Sequence, residues 1–248
     1  MNFHYVDIGA ANNTREAEWN LHVPEATYSL FEPDPVAFER LQKIRGSNIG
    51  NVLKIALGSS PGLKEFNICR KRELSSFLQP NYEMVNRFPD KERWEIEMTE
   101  EIKIETLDSQ LPIIGPIDFI KLDTQGTELD ILNGAILALK NIIGIQVEVE
   151  FIELYKTQPL FDEVFKFLYG LNFELWDLTT IYRYGRDKLD RSGQSSFADA
   201  LFFRPPEQIV NMYEGQERNE KLHKLSLISK VYGKKDMHDL CKNLLNRM

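Results

Sequence analysis

The side chains of this sequence best suited to chemistry are acidic residues near the ends of predicted strands. Asp7 lies two residues before the glycine that ends a first apolar run, and Asp123 closes another run at residues 117–123. Glu148 and Glu150 lie two residues apart in a later run, so their carboxylates share one face of a strand. A carboxylate can take the proton of an alcohol, or hold a metal that lowers the alcohol's pKa. Asp123 is therefore our first candidate for catalysis, and Glu148 with Glu150 the second.

Residues 5–13 predict the strand and turn that position these acids, with the sequence Tyr-Val-Asp-Ile-Gly-Ala-Ala-Asn-Asn. An apolar run followed by glycine, small residues and a helix start is typical of a doubly wound α/β sheet. Such sheets bind ligands beyond the carboxyl ends of their strands, where the strand order reverses. Gly9 permits a sharp turn that brings backbone N–H groups close to a ligand, and Asn13 with Glu16 predicts a capping box. An ordinary turn that binds nothing is the equal alternative.

The glycine content of this turn favours one class of ligand. A dinucleotide fingerprint needs three glycines, but Ala11 and Thr14 stand where further glycines are expected. The Gly-Lys-Ser/Thr motif of a nucleoside triphosphate site is also missing from the sequence. S-adenosylmethionine has no pyrophosphate, and its carboxylate suits loop N–H groups and a helix end. Glu32, at the end of the second predicted strand, could accept both ribose hydroxyls. The alternative is a solvated acid beside the helix cap at Asp34.

Further apolar runs extend the sheet. They predict strands at 28–31, 52–58, 63–68, 94–104, 117–123, 145–151, 173–178 and 198–203. The run at 145–151 carries Gln146, Glu148 and Glu150 on one face, which is unusual for a central parallel strand. Either that face opens into the cleft or the strand lies near an edge. Residues 94–104 alternate like one or two exposed edge strands.

Two segments with little periodicity lie where substrate could bind. Residues 70–93 are polar and irregular, and a substrate lid could form there. Residues 180–196 form a polar excursion between the last two predicted strands. This excursion contains Tyr182, Arg183, Tyr184 and Arg186. These side chains could contact substrate or belong to a loop surface.

The C-terminal residues predict a helical extension. Leu222, Leu225, Ile228 and Val231 recur at helical spacing, which indicates an amphipathic tail of two helices that packs on the domain or on a second subunit. We therefore predict an α/β domain over residues 1–205 and a helical extension over 206–248. A homodimer formed through this extension is one expectation.

Composition limits the partners and the compartment. The 248 residues carry a net charge of −8, so a broad basic surface for nucleic acid is not expected. Cys69 and Cys241 lie far apart without metal-type spacing, which indicates free thiols in a reducing compartment. No run approaches the length of a membrane span, and the start lacks a signal-peptide pattern. The sequence predicts a cytoplasmic protein.

Several motifs in order resemble the FkbM-type S-adenosylmethionine-dependent methyltransferases, from about Tyr5 to Arg204. They are Val6-Asp7-Ile8-Gly9-Ala10, Phe31-Glu32-Pro33, Ala56-Leu57-Gly58, Leu74-Ser75-Ser76, Thr106-Leu107-Asp108, and residues 117–123 through Gly126, Glu128 and Gly134-Ala135. The resemblance implies a seven-stranded Rossmann-like sheet with an antiparallel last strand. It also implies methyl transfer, often to a hydroxyl of a sugar, a lipid-linked or a small-molecule acceptor. The residues expected to bind the cofactor are Asp7, Gly9, Ala10, Asn12, Asn13, Glu32, Pro33, Ala56, Leu57 and Asp123.

The sequence departs from the family pattern at one position. The family usually shows Asp-x-Glu-Gly after the fourth strand, whereas this chain has Asp123-Thr124-Gln125-Gly126. The missing carboxylate could have been a base, a metal ligand or a loop acceptor; in the last role Gln125 can replace it by hydrogen bonding. Asp123 itself could cap the following helix or brace a loop instead of acting in catalysis. A divalent metal therefore stays open.

The function indicated is an S-adenosylmethionine-dependent O-methyltransferase. Its acceptor is expected to be a hydroxyl on a sugar, a glycan or a small metabolite. A methyltransferase-like binding module without turnover is the alternative, because of Gln125 and because no helix precedes the first predicted strand. A nicotinamide-dependent dehydrogenase is disfavoured by the single glycine in the first turn.

Overall fold

The protein folds around one seven-stranded sheet, described in a computed structural model over residues 2–11, 16–44, 49–187 and 192–246. The strands, in chain order, are β1 (Phe3–Ile8), β2 (Ala26–Phe31), β3 (Ile49–Leu53), β4 (Ala56–Leu57), β5 (Gly62–Cys69), β6 (Ile96–Glu105), β7 (Phe119–Leu122), β8 (Gly144–Glu150), β9 (Glu174–Tyr184) and β10 (Gln194–Phe203). The helices are α1 (Glu16–His22), α2 (Pro35–Ile44), α3 (Tyr82–Val85), α4 (Leu107–Ile114), α5 (Glu128–Asn133), α6 (Phe161–Gly170), α7 (Pro206–Met212), α8 (Gly215–Val231) and α9 (Lys235–Asn246).

The strand order of the large sheet is β3-β2-β1-β7-β8-β10-β9. The strands β1, β2, β3, β7 and β8 pair in parallel, whereas β10 runs antiparallel to both β8 and β9. The chain first moves outward from β1 through β2 to β3, and it returns to the other side of β1 at β7. This arrangement confirms the predicted doubly wound α/β fold with an antiparallel strand near its end. The strand order reverses between β1 and β7, so a ligand cleft belongs at their carboxyl ends.

Strand β8 is buried along its whole length, which resolves the question raised by its polar face. It lies between β7 and β10, and all of its residues from Gly144 to Glu150 are buried. The edge-strand alternative is therefore wrong. The amide oxygen of Gln146 accepts a 2.6 Å hydrogen bond from the Tyr232 hydroxyl of the C-terminal region. The polar face is tolerated because its side chains have partners or gather in a cluster below the cleft.

The run at residues 52–58 is two strands rather than the single strand that its sequence predicts. β3 ends at Leu53 as an edge strand of the large sheet, and β4 pairs in parallel with β6 in a separate three-stranded sheet. Hydrophobicity does not distinguish the two pairing partners, because Val52 and Leu53 of β3 are partly buried and Ala56 and Leu57 of β4 are buried, and all four side chains are apolar. β6 is likewise one strand in the centre of the small sheet and not an edge strand.

The polar excursion at 180–196 is strand at both of its ends. β9 continues to Tyr184 and β10 begins at Gln194, so the two strands form a long antiparallel hairpin. The polar residues are compatible with a strand because β9 is the edge of the sheet and one of its faces meets solvent. Tyr182 stacks on Phe197 with ring centroids 4.4 Å apart, a cross-strand pair that stabilises the extension.

The C-terminal residues form three helices, where the sequence predicts two. In α8, Leu222, Leu225 and Ile228 are fully buried and share a hydrophobic cluster with residues of β1 and β7. Lys224 donates to both carboxylate oxygens of Asp118 at 3.0 Å, so a buried ion pair holds the same face. The extension therefore packs on the sheet, as one of the two sequence alternatives has it. None of the described helices is both long and apolar enough to cross a membrane.

Candidate active site

A cleft of about 890 Å³, counting its solvent-filled mouth, opens at the carboxyl ends of β1, β2 and β7. The predicted site residues that line this cleft are Gly9, Glu32, Pro33, Ala56, Leu57 and Asp123. These residues lie in, or directly after, four different strands, namely β1, β2, β4 and β7.

Other predicted site residues lie outside the lining. Asp7 and Ala10 are buried beneath the cleft, and Glu148 and Glu150 lie deeper in the sheet. Asn12 and Asn13 are outside the residues that the structure describes, as is the start of the capping box proposed there. In the irregular segment, Arg72, Ser75 and Phe77 line the cleft. Ser75 belongs to the Leu74-Ser75-Ser76 motif of the family resemblance, whereas the lid expected from residues 70–93 was the signal for Arg72 and Phe77.

Gly9 is required by packing between strands. Its φ is +78°, and a Cβ built there would lie 1.9 Å from the carbonyl oxygen of Asp123. The backbone N–H groups of Gly9 and Ala10 donate to the carbonyl oxygen of Phe31 at 3.0 and 3.2 Å. β2 therefore already uses these two N–H groups, and the approach of other N–H groups of the turn to a ligand stays a prediction. The glycine instead allows the ends of β1 and β7 to meet, which brings Asp123 to the cleft.

Glu32 is a buried carboxylate on the cleft wall. Only 4% of the residue is exposed, so the alternative of a solvated acid is wrong. Its Oε1 accepts a 2.8 Å hydrogen bond from the backbone N–H of Asp34, and the backbone of Ala11 also stabilises its charge. Burial raises the pKa of Glu32 from 4.5 to about 7, with smaller contributions from the negative charges of Asp34 and Asp7. Because burial removes water from this carboxylate, hydrogen bonds from a ligand would replace part of its lost solvation.

Asp34, beside Glu32, caps α2 as the sequence predicts. Its Oδ1 accepts a 2.8 Å hydrogen bond from the backbone N–H of Ala37. Its Oδ2 also accepts from the Arg72 guanidinium, which ties the irregular segment to the cleft.

A buried lysine links the two acids at the ends of β1 and β7. Lys121 is 2% exposed, and its Nζ lies 3.3 Å from Asp7 Oδ1 and 3.5 Å from Asp123 Oδ2. Burial opposes the charge of Lys121, but Asp7 and Asp123 outweigh it and raise its pKa. Burial also raises the pKa of Asp7 to about 6, against the effect of Lys121. The second oxygen of Asp7 has no hydrogen-bond partner among the described residues. Sequence reasoning missed Lys121, although a lysine within an apolar strand was a visible signal.

Asp123 and Gln125 form the wall of the cleft after β7. The Gln125 amide donates to Asp123 Oδ1 at 3.1 Å and to Glu148 Oε2 at 2.8 Å, and its Oε1 accepts from the Tyr155 hydroxyl at 3.0 Å. Gln125 has a φ of +58°, so these contacts hold it in a backbone conformation that is uncommon outside glycine. Asp123 retains 28% side-chain exposure. It does not cap α5, since Thr127 occupies the N-cap position.

Three buried glutamates gather beneath this wall, namely Glu128, Glu148 and Glu150. Oxygen atoms of all three lie within 4.8 Å of one another, a grouping that oxygen-binding cations can use. The oxygens of Glu128, however, accept hydrogen bonds from Thr124 and from the backbone N–H of Gly126. Glu128 therefore braces the turn after β7, and its carboxylate oxygens already accept hydrogen bonds from that turn.

Burial makes ionisation of this cluster costly. It raises the pKa of Glu128 to about 7. Burial and neighbouring carboxylates raise the pKa values of Glu148 and Glu150 well above their ordinary range. The sequence placed Glu148 and Glu150 together correctly, but it did not bring Glu128 to them.

The sheet order and the cleft at its switch point define the class of Rossmann-like methyltransferases. The family model for the methyltransferase FkbM domain matches residues 7–175. The chain belongs to the FkbM methyltransferase family, which implies methylation that depends on S-adenosylmethionine.

One solved structure resembles the chain, a precorrin-6y C5,15-methyltransferase from Geobacter metallireducens GS-15. The identity is 11% and the TM-score 0.42, over 82% of this chain and 80% of that one. No curated protein matches the sequence.

Proposed function

We propose that this protein methylates a hydroxyl group of a sugar, a glycan or a small metabolite. The observation that carries the proposal is the placement of two carboxylates in one cleft. Glu32 follows β2, and Asp123 follows β7, on either side of the Gly9 turn. One carboxylate is suited to hold a cofactor and the other to act on an acceptor.

The residues of the cleft are compatible with S-adenosylmethionine. When bound, this cofactor supplies a methyl group activated by a sulfonium. We propose that Glu32 accepts hydrogen bonds from the ribose hydroxyls, since its carboxylate lies on the wall and is already desolvated. Ala56, Leu57 and Pro33 offer apolar surface for the adenine. The single glycine of the first turn leaves no pyrophosphate loop, which favours this ligand over a dinucleotide.

We propose that Asp123 is the general base for the acceptor. It is the exposed member of the acidic groups around the β7 turn, and it lines the cleft. Lys121 donates to Oδ2 of Asp123 and the Gln125 amide donates to Oδ1, so the orientation of the carboxylate is fixed. Lys121 and Gln125 are thus positioning residues. Glu148 and Glu150, our second candidates, are buried below the cleft wall, where burial and neighbouring carboxylates raise their pKa values.

A base is needed most when the acceptor is an alcohol. The proton of an alcohol must leave as the oxygen forms its new bond, and general-base catalysis is worth roughly 10²–10⁴ in rate. In-line placement of the acceptor supplies much of the remaining acceleration. A carboxylate held at the cleft therefore supports transfer to oxygen.

The test compares Asp123→Asn with the wild-type protein. Release of demethylated cofactor is measured on a panel of sugars and small hydroxylated metabolites. We expect turnover to fall by roughly 10²–10⁴ and cofactor affinity to stay within a few fold. The control is Asp162→Asn, an exposed aspartate that pairs only with Lys166 on α6. Normal turnover in Asp123→Asn would remove this residue from the chemistry.

Two further arms of the assay separate the alternatives. Direct proton removal by Asp123 predicts turnover that a chelator does not change, whereas a divalent ion held by Asp123 predicts loss with chelator and recovery with a hard divalent ion. Tight cofactor binding without turnover on any acceptor would favour the binding module.

A further inference from the structure

A cluster of aromatic rings next to the proposed acceptor side carries two arginines. Tyr184 of β9 contacts Phe88 and Trp94, with ring centroids 5.1 and 5.7 Å away. The guanidinium carbon of Arg93 lies 4.0 Å from the centroid of Trp94 and 4.9 Å from that of Tyr184. The guanidinium carbon of Arg186 lies 5.3 Å from the centroid of Phe88. Two cations are thus held by cation–π contacts on one aromatic cluster.

Neither cation has an acidic partner in the part of the chain that the structure describes. Arg70 and Arg72, by comparison, pair with Glu95 and Asp34. The Nε of Arg93 is buried and has no hydrogen-bond partner among those residues. Unpaired, oriented guanidinium groups are notable on a protein with a net charge of −8. A planar guanidinium that aromatic rings hold in place is suited to bind phosphate or carboxylate in a bidentate way.

The aromatic cluster connects to the residues around Asp123. Tyr182 lies two residues before Tyr184, so both side chains share one face of β9. Tyr182 is 43% exposed. Tyr184 and Phe197 pack against the hydrophobic cluster that contains Tyr155, whose hydroxyl donates to Gln125 Oε1 at 3.0 Å on the cleft wall. Tyr182 and Tyr184 both contact Phe197, with ring centroids 4.4 and 5.8 Å away.

The two ends of this region suit two different groups of an acceptor. Asp123 lines the cleft, and Arg93 and Arg186 lie on the aromatic cluster. An acceptor that carries a hydroxyl at one end and an anionic group at the other would match both ends. The exposed ring of Tyr182 offers a surface on which a sugar ring can pack.

We infer that Arg93 and Arg186 form an anion-binding subsite, which selects an acceptor whose sugar carries a phosphate. This inference rests on the proposed function, because it names the class of acceptor for the same site. The phosphate group belongs either to a soluble glycosyl phosphate or to a lipid-linked one. The shared chemistry is a phosphate ester, and the experiment below separates the two sources.

The test measures methyl transfer to pairs of acceptors that differ only in the phosphate. Hexoses are compared with their 1-phosphates, and the readout is the ratio of kcat/KM values within each protein. We expect the wild-type protein to prefer the phosphate by at least about tenfold, the size of a charge-assisted hydrogen bond. In Arg93→Gln and Arg186→Gln, this ratio should fall towards one, chiefly through KM. Arg93→Lys should recover part of the preference because it keeps the charge.

Arg183→Gln is the matched control. Arg183 is an exposed arginine on the same strand, and it lies on the opposite face from Tyr182 and Tyr184. Its guanidinium donates to the backbone of Gly193, not to an aromatic ring. We expect this variant to keep the wild-type ratio. A partial loss of folded protein does not change the ratio, because both acceptors are assayed with the same protein preparation.

The outcomes distinguish the subsite from the proposed function. Turnover on neutral hexoses with a wild-type ratio near one overturns the subsite and leaves the methyltransferase proposal intact. If no hydroxyl acceptor turns over, broadening of the ³¹P signal of inorganic pyrophosphate is compared between wild-type protein and Arg93→Gln. Broadening by wild type alone supports the subsite, and equal signals overturn it. A preference for the sugar phosphate attached to a polyprenol in vesicles, over the soluble ester, identifies the lipid-linked source.

Discussion

Replacing Glu32 by glutamine should stabilise the protein and weaken its cofactor binding at the same time. Burial raises the pKa of Glu32 from 4.5 to about 7. Each pKa unit corresponds to about 1.36 kcal/mol, so the ionised carboxylate costs roughly 3 kcal/mol of folding free energy above pH 7. Glutamine has the shape of the protonated acid, and it keeps an oxygen for the N–H of Asp34. We expect Glu32→Gln to be more stable than wild type by up to about 3 kcal/mol at pH 8.

The pH dependence follows from the direction of this shift. The folded pKa lies above the unfolded one, so the stability contributed by protonated Glu32 is fully present below about pH 4.5. It is lost as the pH rises through about 7. Glutamine does not titrate, so the advantage of the variant should be largest at pH 8 and nearly vanish at about pH 4.5. The affinity for the cofactor should fall by about tenfold or more in this variant, because the ribose hydroxyls lose a charged hydrogen-bond acceptor.

The assay combines urea unfolding at several pH values with calorimetric titration of S-adenosylmethionine. Glu39→Gln, an exposed residue of α2, is the matched control and should change neither quantity. A Glu32→Gln variant that is less stable than wild type at pH 8 would refute the desolvation argument. A stability gap independent of pH would refute it as well. Unchanged cofactor affinity would show that Glu32 does not bind the ribose.

Three further substitutions or deletions test other parts of the structure. Gln125→Met removes the amide that bridges Asp123 and Glu148, so urea unfolding should show a loss of roughly 2–3 kcal/mol, and an unchanged midpoint would mean that the bridge contributes nothing. Gly9→Ala places a Cβ 1.9 Å from a carbonyl oxygen at a φ of +78°, so we expect thermal melting to show severe destabilisation; a wild-type melting temperature would contradict this packing. Deletion after Pro206 uncovers the surface under α8, so light scattering should show aggregation or a changed assembly, unless the extension has no packing role.

The parts of the fold that sequence predicts well are those where local pattern and burial agree. β1 and β7 are mainly apolar, β8 alternates apolar and polar residues, and the doubly wound sheet follows from their order with the family resemblance. The run at 52–58 shows the limit of this reasoning. Its two halves pair with different sheets, and a pairing partner is a property of the tertiary structure. The polar end of the β9–β10 hairpin was missed because an edge strand can carry polar residues on its open face.

The site was predictable only as far as single residues at strand ends. Glu32 and Asp123 follow their strands directly, so the sequence places them at the cleft. Lys121 reaches Asp7 because the two residues are register partners on neighbouring strands, and a sequence does not contain that register. The contact of Gln125 with Glu148 likewise joins a turn to a separate strand. Such polar networks depend on tertiary geometry that hydrophobic periodicity does not specify.

The central claim is that the cleft binds S-adenosylmethionine. The most direct measurement is calorimetric titration of the protein with S-adenosylmethionine, its demethylated product and NAD in parallel. We expect one saturable site for S-adenosylmethionine and its product, with dissociation constants on the order of micromolar, and no saturable heat with NAD. Absence of binding by S-adenosylmethionine and its product, or tighter binding of NAD, would contradict the assignment of the cleft.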